Sequence, residues 1–178
     1  MAAALTLLRL GDTSRDLYLF DTFAGMPEPT EHDRPSPYDG YLLHERWRWQ
    51  SKGPHASGWS EASLERVREN MSSTGYPAER IHLVEGMVEK TLPESAPEAV
   101  ALLRMDTDWH ASTKHELEHL YPRLVEGGVL IVDDYGHYEG ARRAVDEYFA
   151  EYGPAPLLNR IDYAGRIAVK RGPARTSA

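Results

Sequence analysis

Four aspartates stand in two clusters, each shortly after an apolar run of the sequence. Asp106 and Asp108 follow the run Val-Ala-Leu-Leu, and Asp133 and Asp134 follow the run Gly-Val-Leu-Ile-Val. If these runs are neighbouring parallel strands, the carboxylates emerge at the same end of a sheet, where open α/β sheets bind ligands. Converging carboxylate oxygens suit a hard divalent cation such as Mg²⁺. Because adjacent like charges repel, the pair at 133–134 also requires something positive nearby.

The composition is that of an ordinary globular protein. The chain has 178 residues, of which 41% are hydrophobic and 27% charged, and this is enough for one core. A formal charge of −8 argues against nucleic acid or an anionic membrane as a partner. Without cysteine, the chain fits a reducing cytoplasm, where we expect it. Residues 1–10 are apolar but too few to span a bilayer, and they predict the end of a buried helix.

Strand-like and helix-like segments alternate along the chain, which is typical of a layered α/β domain. Residues 17–20 and 81–84 are short apolar strand candidates. Near the C-terminus, a turn at Ala164 and Gly165 joins two strand candidates into a hairpin. We therefore predict a Rossmann-like three-layer sandwich with a mainly parallel sheet and an antiparallel C-terminal hairpin.

Helix ends are predicted from capping residues and breakers. Ser60 is placed to cap a helix that precedes the second strand candidate. Thr113 and Glu116 have the spacing of a capping box at the start of another helix. We expect Pro122 to kink that helix and the glycines at 127–128 to end it.

The predicted domain organisation is simple. Residues 1–171 are expected to form a single domain, followed by a disordered tail at 172–178. Residues 27–58 show no sustained periodicity and are rich in Pro, His, Asp and Arg, with tryptophans in or beside them. Loops of this length inside a compact domain are often lids or binding loops, so we predict a lid-like loop here.

Several motifs, in the right order, resemble those of the macrocin O-methyltransferase family. They are Leu-Tyr-Leu-Phe-Asp-Thr-Phe-Ala-Gly-Met-Pro-Glu-Pro at 17–29, Leu-Arg-Met-Asp-Thr-Asp-Trp at 103–109, Leu-Tyr-Pro-Arg-Leu at 120–124 and Ile-Val-Asp-Asp-Tyr-Gly at 131–136. The resemblance covers about residues 17–170. It implies an S-adenosylmethionine-dependent sugar O-methyltransferase of a natural-product pathway that uses a divalent metal, here Mg²⁺. It also implies a glycosylated small molecule as acceptor, with a homo-oligomer as a candidate assembly.

The same resemblance, carried over residue by residue, implies the site residues. The residues expected to bind or flank S-adenosylmethionine are Asp21, Thr22, Phe23, Gly25, Met26, Glu85, Gly86, Met87, Val88 and Asp106. The expected metal ligands are Asp106, Asp133 and Asp134, with no histidine among them. Asp108 stands where a general base is expected, and His110 is a second candidate. Each also has a structural interpretation, since an aspartate after a strand often forms a local turn and a histidine often only caps a helix.

One departure from the family pattern lies at the front of the chain. The chain begins inside the helix that should follow the first strand and its Gly-rich turn, so the resemblance implies impaired binding of the methionine part of the cofactor. Two alternatives therefore stay open. One is a metal-dependent nucleotide-sugar glycosyltransferase with an Asp-x-Asp motif, and the other is a truncated, catalytically impaired paralogue that serves as an assembly partner. The spacing of the motifs excludes a haloacid-dehalogenase-type phosphohydrolase.

Overall fold

The computed structural model describes residues 1–34, 42–53 and 55–172. All of the predicted disordered tail except Gly172 lies outside the described residues. The chain divides into two compact units, and each is described by itself. The first unit comprises Met1–Glu28 with Trp47–Thr91, and the second comprises Pro29–Arg46 with Leu92–Ala178. Of the helices in the described part of the chain, none has the length and hydropathy that a bilayer span requires.

Helices and strands alternate through the described residues. The helices are α1 (Ala2–Arg9), α2 (Leu43–Gln50), α3 (Leu64–Ser72), α4 (Val88–Thr91), α5 (His110–Leu120) and α6 (Glu139–Tyr152), with a 3₁₀ turn at Ala78–Arg80. The strands are β1 (Leu17–Asp21), β2 (Ser51–Gly53), β3 (Ala56–Ser57), β4 (Ile81–Glu85), β5 (Val100–Met105), β6 (Leu124–Val132), β7 (Asn159–Arg160) and β8 (Arg166–Val169).

In the first unit, the two predicted strands form a parallel pair. β1 and β4 run in register from Leu17 opposite Ile81 to Asp21 opposite Glu85. The apolar N-terminal stretch forms the helix α1, as predicted, but the expected burial of this helix is wrong, because Ala4 is its only buried residue and Leu5 is 49% exposed. Its Ala4 is buried together with Met71 and Tyr76, and partly buried side chains of β1 and β4 pack against this cluster. The packing holds the carboxyl ends of β1 and β4 side by side.

In the second unit, four strands form one sheet in the order β5-β6-β8-β7. β5 and β6 are parallel and end together, with Met105 opposite Val132. β8 is antiparallel to both β6 and β7, so the predicted C-terminal hairpin is confirmed. Side chains of α5, α6 and β6 fill the core of this unit. Those most deeply buried include Leu117, Leu124, Leu130, Val132 and Val145.

The predicted starts of two helices are wrong. α3 begins after Ser63, whose side chain accepts a hydrogen bond from the N–H of Arg66 at 3.3 Å, so Ser60 is not the cap. α5 begins at His110, which places Thr113 and Glu116 inside the helix, where both are buried. The N–H of His110 is satisfied instead by the carboxylate of Asp33 at 2.7 Å. A residue distant in sequence therefore does what the predicted capping box was expected to do.

The predicted end of α5 is also wrong. The helix stops at Leu120 without continuing through Pro122, and the glycines at 127–128 lie inside β6. A proline cannot donate to the preceding turn, which favours this earlier end. Lys170 stabilises it, because its ammonium donates to the carbonyl oxygens of Tyr121 at 2.9 Å and Leu124 at 2.7 Å.

The stretch 27–58 is more regular than its sequence predicts. It contains α2, β2 and β3, while residues 35–41 and 54 lie outside the described part. Trp47 and Trp59 are buried, whereas Trp49 is 83% exposed. The indole N–H of Trp47 donates to the carbonyl oxygen of Met26 at 3.0 Å, which ties α2 to the end of the β1 turn. A lid role for this stretch stays a prediction.

Candidate active site at the ends of two parallel strands

The ends of β5 and β6 place the four predicted aspartates at one edge of the sheet. The N–H of Asp133 donates to the carbonyl oxygen of Met105 at 3.0 Å, which continues the parallel pairing by one residue. Asp106 therefore leaves β5 at the level where Asp133 leaves β6. This is the position in the sheet that the sequence predicted for both clusters.

Three of the four carboxylates converge. One carboxylate oxygen each of Asp106, Asp108 and Asp134 lies within 4.8 Å of the other two. Oδ2 of Asp134 is buried and has no hydrogen-bond partner in the described part of the chain. A buried carboxylate oxygen without a partner is costly unless a cation or donor satisfies it. The donor set fits a hard divalent cation such as Mg²⁺.

Arg104 supplies the positive charge that the adjacent aspartates require. Its guanidinium donates to Asp106 at 2.7 Å and to Asp133 at 2.8 Å. Burial lowers the pKa of Arg104, but the attraction of these two carboxylates outweighs it and raises the pKa. The carboxylate of Asp133 is therefore engaged by Arg104, and Asp108 takes the third place in the converging set. The predicted metal ligands and the converging carboxylates share Asp106 and Asp134.

Arg104 is not among the residues predicted from the sequence, although the sequence contains a feature that indicates its role. It is the only charged residue of β5, and it stands two residues before Asp106. Alternate residues of a strand share a face. A charged side chain inside an apolar strand that ends in an acidic cluster can therefore be expected to pair with that cluster.

Crowding of negative charge perturbs the aspartates. Burial raises the pKa of Asp106 to about 6 against the lowering effect of Arg104, and Asp133 and Asp134 add to the rise. Burial also raises the pKa of Asp108 well above its ordinary value, and the carboxylate of Asp134 acts in the same direction. A bound divalent cation would offset both effects, because an opposite charge favours the ionised form.

The backbone at Asp108 adopts a conformation that is unusual for a residue with a side chain. Its φ is +65°, in the left-handed region. The next residue, Trp109, is 3% exposed, and its N–H donates back to the carbonyl oxygen of Thr107 at 2.7 Å. Such conformations cost about 1–3 kcal/mol and persist where the surroundings enforce them, often at functional sites. The tight turn directs the Asp108 carboxylate toward the other two.

His110 has a defined carboxylate partner. Its Nε2 lies 2.9 Å from Oε2 of Glu147 on α6, and Arg143 donates to the other oxygen of Glu147 at 2.6 Å. The hydrogen bonds from Arg143 and His110 lower the pKa of Glu147 to about 2. The hydrogen bond to Glu147 holds the imidazole of His110 in one orientation, as a carboxylate does for a catalytic base. Asp33, 3% exposed, fixes the backbone of His110 from the other side.

In the first unit, the turn after β1 contains the predicted cofactor residues. Oδ1 of Asp21 accepts a hydrogen bond from the N–H of Phe23 at 2.7 Å, which is a local Asx-turn. The hydroxyl of Thr22 donates to the carbonyl oxygen of Gly25 at 2.8 Å. Phe23 is buried with φ +52°. Polar groups of this turn are thus largely satisfied by the turn itself.

Gly25 and Met26 connect this turn to the segment that follows α2. A Cβ on Gly25 would overlap the carbonyl oxygen of Ser57, and its φ of +80° also favours glycine. The carbonyl oxygen of Met26 accepts hydrogen bonds from Ser57 at 2.8 Å and Trp47 at 3.0 Å. These two residues therefore shape the turn through contacts within the unit, and their contact with the cofactor stays a prediction.

The end of β4 lies beside the end of β1. Glu85 is opposite Asp21 in the parallel register, and the N–H of Gly86 donates to the carbonyl oxygen of Asp21 at 3.0 Å. Met87 follows, and Val88 is buried at the start of α4. The acidic residues that end β1 and β4 are therefore adjacent, as the predicted cofactor contacts require.

Carboxylates grouped beyond the ends of parallel strands are typical of the Rossmann-like α/β class. The chain belongs to the macrocin-O-methyltransferase (TylF) family, whose profile matches residues 1–170. This confirms the resemblance found in the sequence motifs.

Relatives with assigned names are natural-product O-methyltransferases. The chain is 34% identical over 155 residues to the 8-demethyl-8-(2,3-dimethoxy-alpha-L-rhamnosyl)-tetracenomycin-C 4'-O-methyltransferase of Streptomyces olivaceus, covering 87% of this chain and 55% of the relative. It is 32% identical to the demethyldecarbamoylnovobiocin O-methyltransferase of Streptomyces niveus, covering 89% and 57%. It is also 32% identical to the mycinamicin III 3''-O-methyltransferase of Micromonospora griseorubida, covering 85% and 56%. The chain thus spans little more than half the length of these relatives.

Solved structures confirm the fold class. The O-methyltransferase NovP matches with a TM-score of 0.75 at 30% identity, over 93% of this chain and 64% of NovP. The calicheamicin methyltransferase CalS11 matches with a TM-score of 0.61 at 21% identity, over 89% of this chain and 61% of CalS11. The second likeness is one of fold alone. Together they place the chain in the Rossmann-like methyltransferase fold predicted from the sequence.

Proposed function

We propose that this chain carries the site of an S-adenosylmethionine- and Mg²⁺-dependent O-methyltransferase that acts on a sugar hydroxyl of a natural product. Membership of the macrocin-O-methyltransferase family supports the reaction type. The name of one relative, which specifies a rhamnosyl-tetracenomycin as its substrate, supports a glycosylated acceptor. The same match gives no support to a glycosyltransferase.

The observation that carries the proposal is the convergence of Asp106, Asp108 and Asp134, together with a buried oxygen of Asp134 that has no hydrogen-bond partner among the described residues. Asp106 and Asp134 would hold the cation, with Asp133 either joining them or staying with Arg104. When bound, the cation supplies Lewis-acid stabilisation of a sugar alkoxide and fixes its direction. Arg104 limits the net negative charge of the cluster.

Asp108 is the proposed general base. Its carboxylate belongs to the converging set, so an acceptor hydroxyl at the cluster would lie within reach of it. The strained turn at Asp108 positions this carboxylate without relying on a flexible side chain. Proton removal by a positioned group contributes on the order of 10²–10⁴-fold to a rate.

His110 is the alternative base. Glu147 and Arg143 hold its imidazole in place, as the carboxylate behind a catalytic imidazole fixes its orientation. In this alternative Asp108 would serve as a third cation ligand. The structure provides each candidate with its own positioning device, so kinetics must separate them.

The cofactor, S-adenosylmethionine, supplies the methyl group. Asp21 and Glu85 are proposed to accept hydrogen bonds from its adenosine portion, with Gly86, Met87 and Val88 flanking the adenine ring. The Asx-turn at Asp21 supports this by orienting the carboxylate. Adjacent strand ends at Asp21 and Glu85 supply two neighbouring acceptors.

The test is methyl transfer from S-adenosylmethionine to the substrates that the three relatives' names specify, measured by mass spectrometry. Asp108→Asn is expected to lower kcat by about 10²-fold or more, while His110→Ala and Glu147→Gln lower it far less. Loss of turnover in His110→Ala and Glu147→Gln with activity retained in Asp108→Asn would exchange the two roles. Methyl transfer that is unchanged both by a chelator of divalent cations and by Asp134→Asn would contradict the proposal.

A further inference from the structure

Two histidines and a glutamate form a second cluster on the C-terminal part of α5. His115, Glu118 and His119 are three and four residues apart, and one ligand atom of each lies within 4.8 Å of the others. Residues at these spacings share one face of a helix. The imidazole rings of His115 and His119 are in contact, with centroids 4.3 Å apart. The cluster shares no residue with the aspartate site.

The polar atoms of this cluster are available to a ligand. Nε2 of His115 lies 3.3 Å from the carbonyl oxygen of Leu92, and donation to a carbonyl fixes the tautomer and leaves Nδ1 with a lone pair. Within the described part of the chain, the side chains of Glu118 and His119 form no hydrogen bond or ion pair. None of the three residues is buried, so a cation can reach them from solvent.

We propose that His115, Glu118 and His119 bind a borderline divalent cation, with Zn²⁺ as its representative. Imidazole nitrogen suits Zn²⁺, Ni²⁺ and Cu²⁺, whereas Mg²⁺ prefers oxygen ligands alone. Two nitrogens and one carboxylate provide three of the four positions of a tetrahedral zinc site, and water provides the fourth. The two clusters of the second unit therefore select different metals.

The position on the helix adds to the argument. α5 ends at Leu120, directly after His119, and the C-terminal end of a helix carries a partial negative charge that favours a cation. The guanidinium of Arg123 lies beside the site, since it donates to the carbonyl oxygen of His119 at 3.0 Å. Its positive charge opposes the binding of a cation. The cation would tie together the last turns of α5, so the site should stabilise the helix end.

The cluster does not have the arrangement of a zinc peptidase, despite its sequence. His-Glu-Leu-Glu-His at 115–119 matches the pattern in which the second residue is a general base. Here that residue, Glu116, is 5% exposed and accepts a hydrogen bond from the hydroxyl of Thr107 at 3.0 Å. Glu116 is therefore committed to the core of the unit. The proposed site binds a metal without a base beside it.

The test is a titration of the full chain with Zn²⁺ in competition with a chromogenic chelator. The protein carries no affinity tag, and a large excess of Mg²⁺ is present so that the aspartates are occupied. The wild type is expected to bind one Zn²⁺ per chain. His115→Gln and His119→Gln should each weaken binding by about tenfold or more, and Glu118→Gln should weaken it less.

The matched control is His44→Gln combined with His55→Gln, which removes two histidines elsewhere and should leave Zn²⁺ affinity unchanged. A measurement on the wild type makes the test independent of how well the variants fold. Zn²⁺ should protect His115 and His119, but not His44 and His55, from diethyl pyrocarbonate. Absence of Zn²⁺ binding by the wild type, unchanged affinity in both single variants, or no protection of His115 and His119 would each overturn the proposal.

Discussion

The acidic residues at the strand ends differ between the two units in how far their polar groups are satisfied by hydrogen bonds. After β1, the carboxylate of Asp21 accepts from the next turn, and the carbonyl oxygen of Met26 accepts two hydrogen bonds from neighbouring side chains. After β5 and β6, an oxygen of Asp134 is buried without a partner in the described residues. The backbone at Asp108 is strained. Burial and the carboxylate of Asp134 raise the pKa of the Asp108 side chain.

This difference indicates what each region is built to do. A turn whose polar groups satisfy one another has a shape set by its own packing, and a ligand then adapts to a fixed surface. A cluster whose charges repel is incomplete without a counter-ion. The first unit therefore presents a preformed turn, and the second presents an aspartate cluster that a bound cation would stabilise.

The first prediction concerns the packing of the turn after β1, where a substitution should change stability most. Gly25→Ala should lower the free energy of unfolding by about 3 kcal/mol, because the new Cβ would overlap the carbonyl oxygen of Ser57 and lie 2.8 Å from that of Trp59. Both are backbone atoms and cannot rotate away. Urea unfolding followed by circular dichroism measures the change.

Gly11→Ala is the matched control for that substitution. Gly11 has a similar φ of +72°, but a Cβ there would meet nothing within 4 Å. Only the cost of the left-handed backbone, about 1 kcal/mol, should then appear. Equal losses in the two variants would show that packing against Ser57 does not set the shape of the turn.

The second prediction concerns pH and the charge of the aspartate cluster in metal-free protein. The pKa of Asp106 is raised from 3.8 to about 6 and that of Asp108 is also raised, so between about pH 4 and pH 6 the folded chain holds protons that the unfolded chain has released. Stability from these groups is present at low pH and is lost as pH rises. Tm in the presence of a chelator should fall by a few degrees from pH 5 to pH 7.

The effect of the cluster on Tm can be separated from that of other carboxylates by a variant and by added Mg²⁺. Asp12 and Glu147 have pKa values lowered to about 2, so their contribution to stability is complete by about pH 5 and does not obscure the decline. Asp108→Asn should flatten the profile of the metal-free protein, and Mg²⁺ should raise Tm more at pH 8 than at pH 5. A profile unchanged by Asp108→Asn would count against charge repulsion in the cluster.

The smallest expected effect concerns a helix end in the first unit. Ser63→Ala should lower the free energy of unfolding by about 1 kcal/mol, the usual cost of a lost N-cap, because Ser63 accepts from the N–H of Arg66. Ser60→Ala, the control, should change it by only a few tenths. If Ser60→Ala proved the more damaging, the cap expected from the sequence would be the real one.

Features encoded by local patterns could be predicted from the sequence. Short apolar runs predicted β1, β4, β5 and β6, and a Gly-containing turn predicted the C-terminal hairpin. The aspartates were placed correctly at the strand ends because strand direction alone decides where a following residue emerges. Motif order then identified the family, which no single motif could have done.

Features that depend on distant contacts could not be predicted. The start of α5 is fixed by Asp33, 77 residues from His110 in sequence, and the orientation of His110 by Glu147, 37 residues away. The pairing of Arg104 with Asp133 also joins two strands. The histidine pair His115 and His119 differs, since its spacing is visible in the sequence itself, and the expectation that no histidine has a metal-binding spacing is wrong.

We propose that the ends of β5 and β6 form a Mg²⁺ site and that the end of β1 does not. Titration calorimetry with Mg²⁺ on the wild type, Asp134→Asn and Asp21→Asn tests it most directly. We expect one site in the wild type, binding weakened by about tenfold or more in Asp134→Asn, and unchanged affinity in Asp21→Asn. No binding by the wild type, or equal affinity in the wild type and Asp134→Asn, would contradict it.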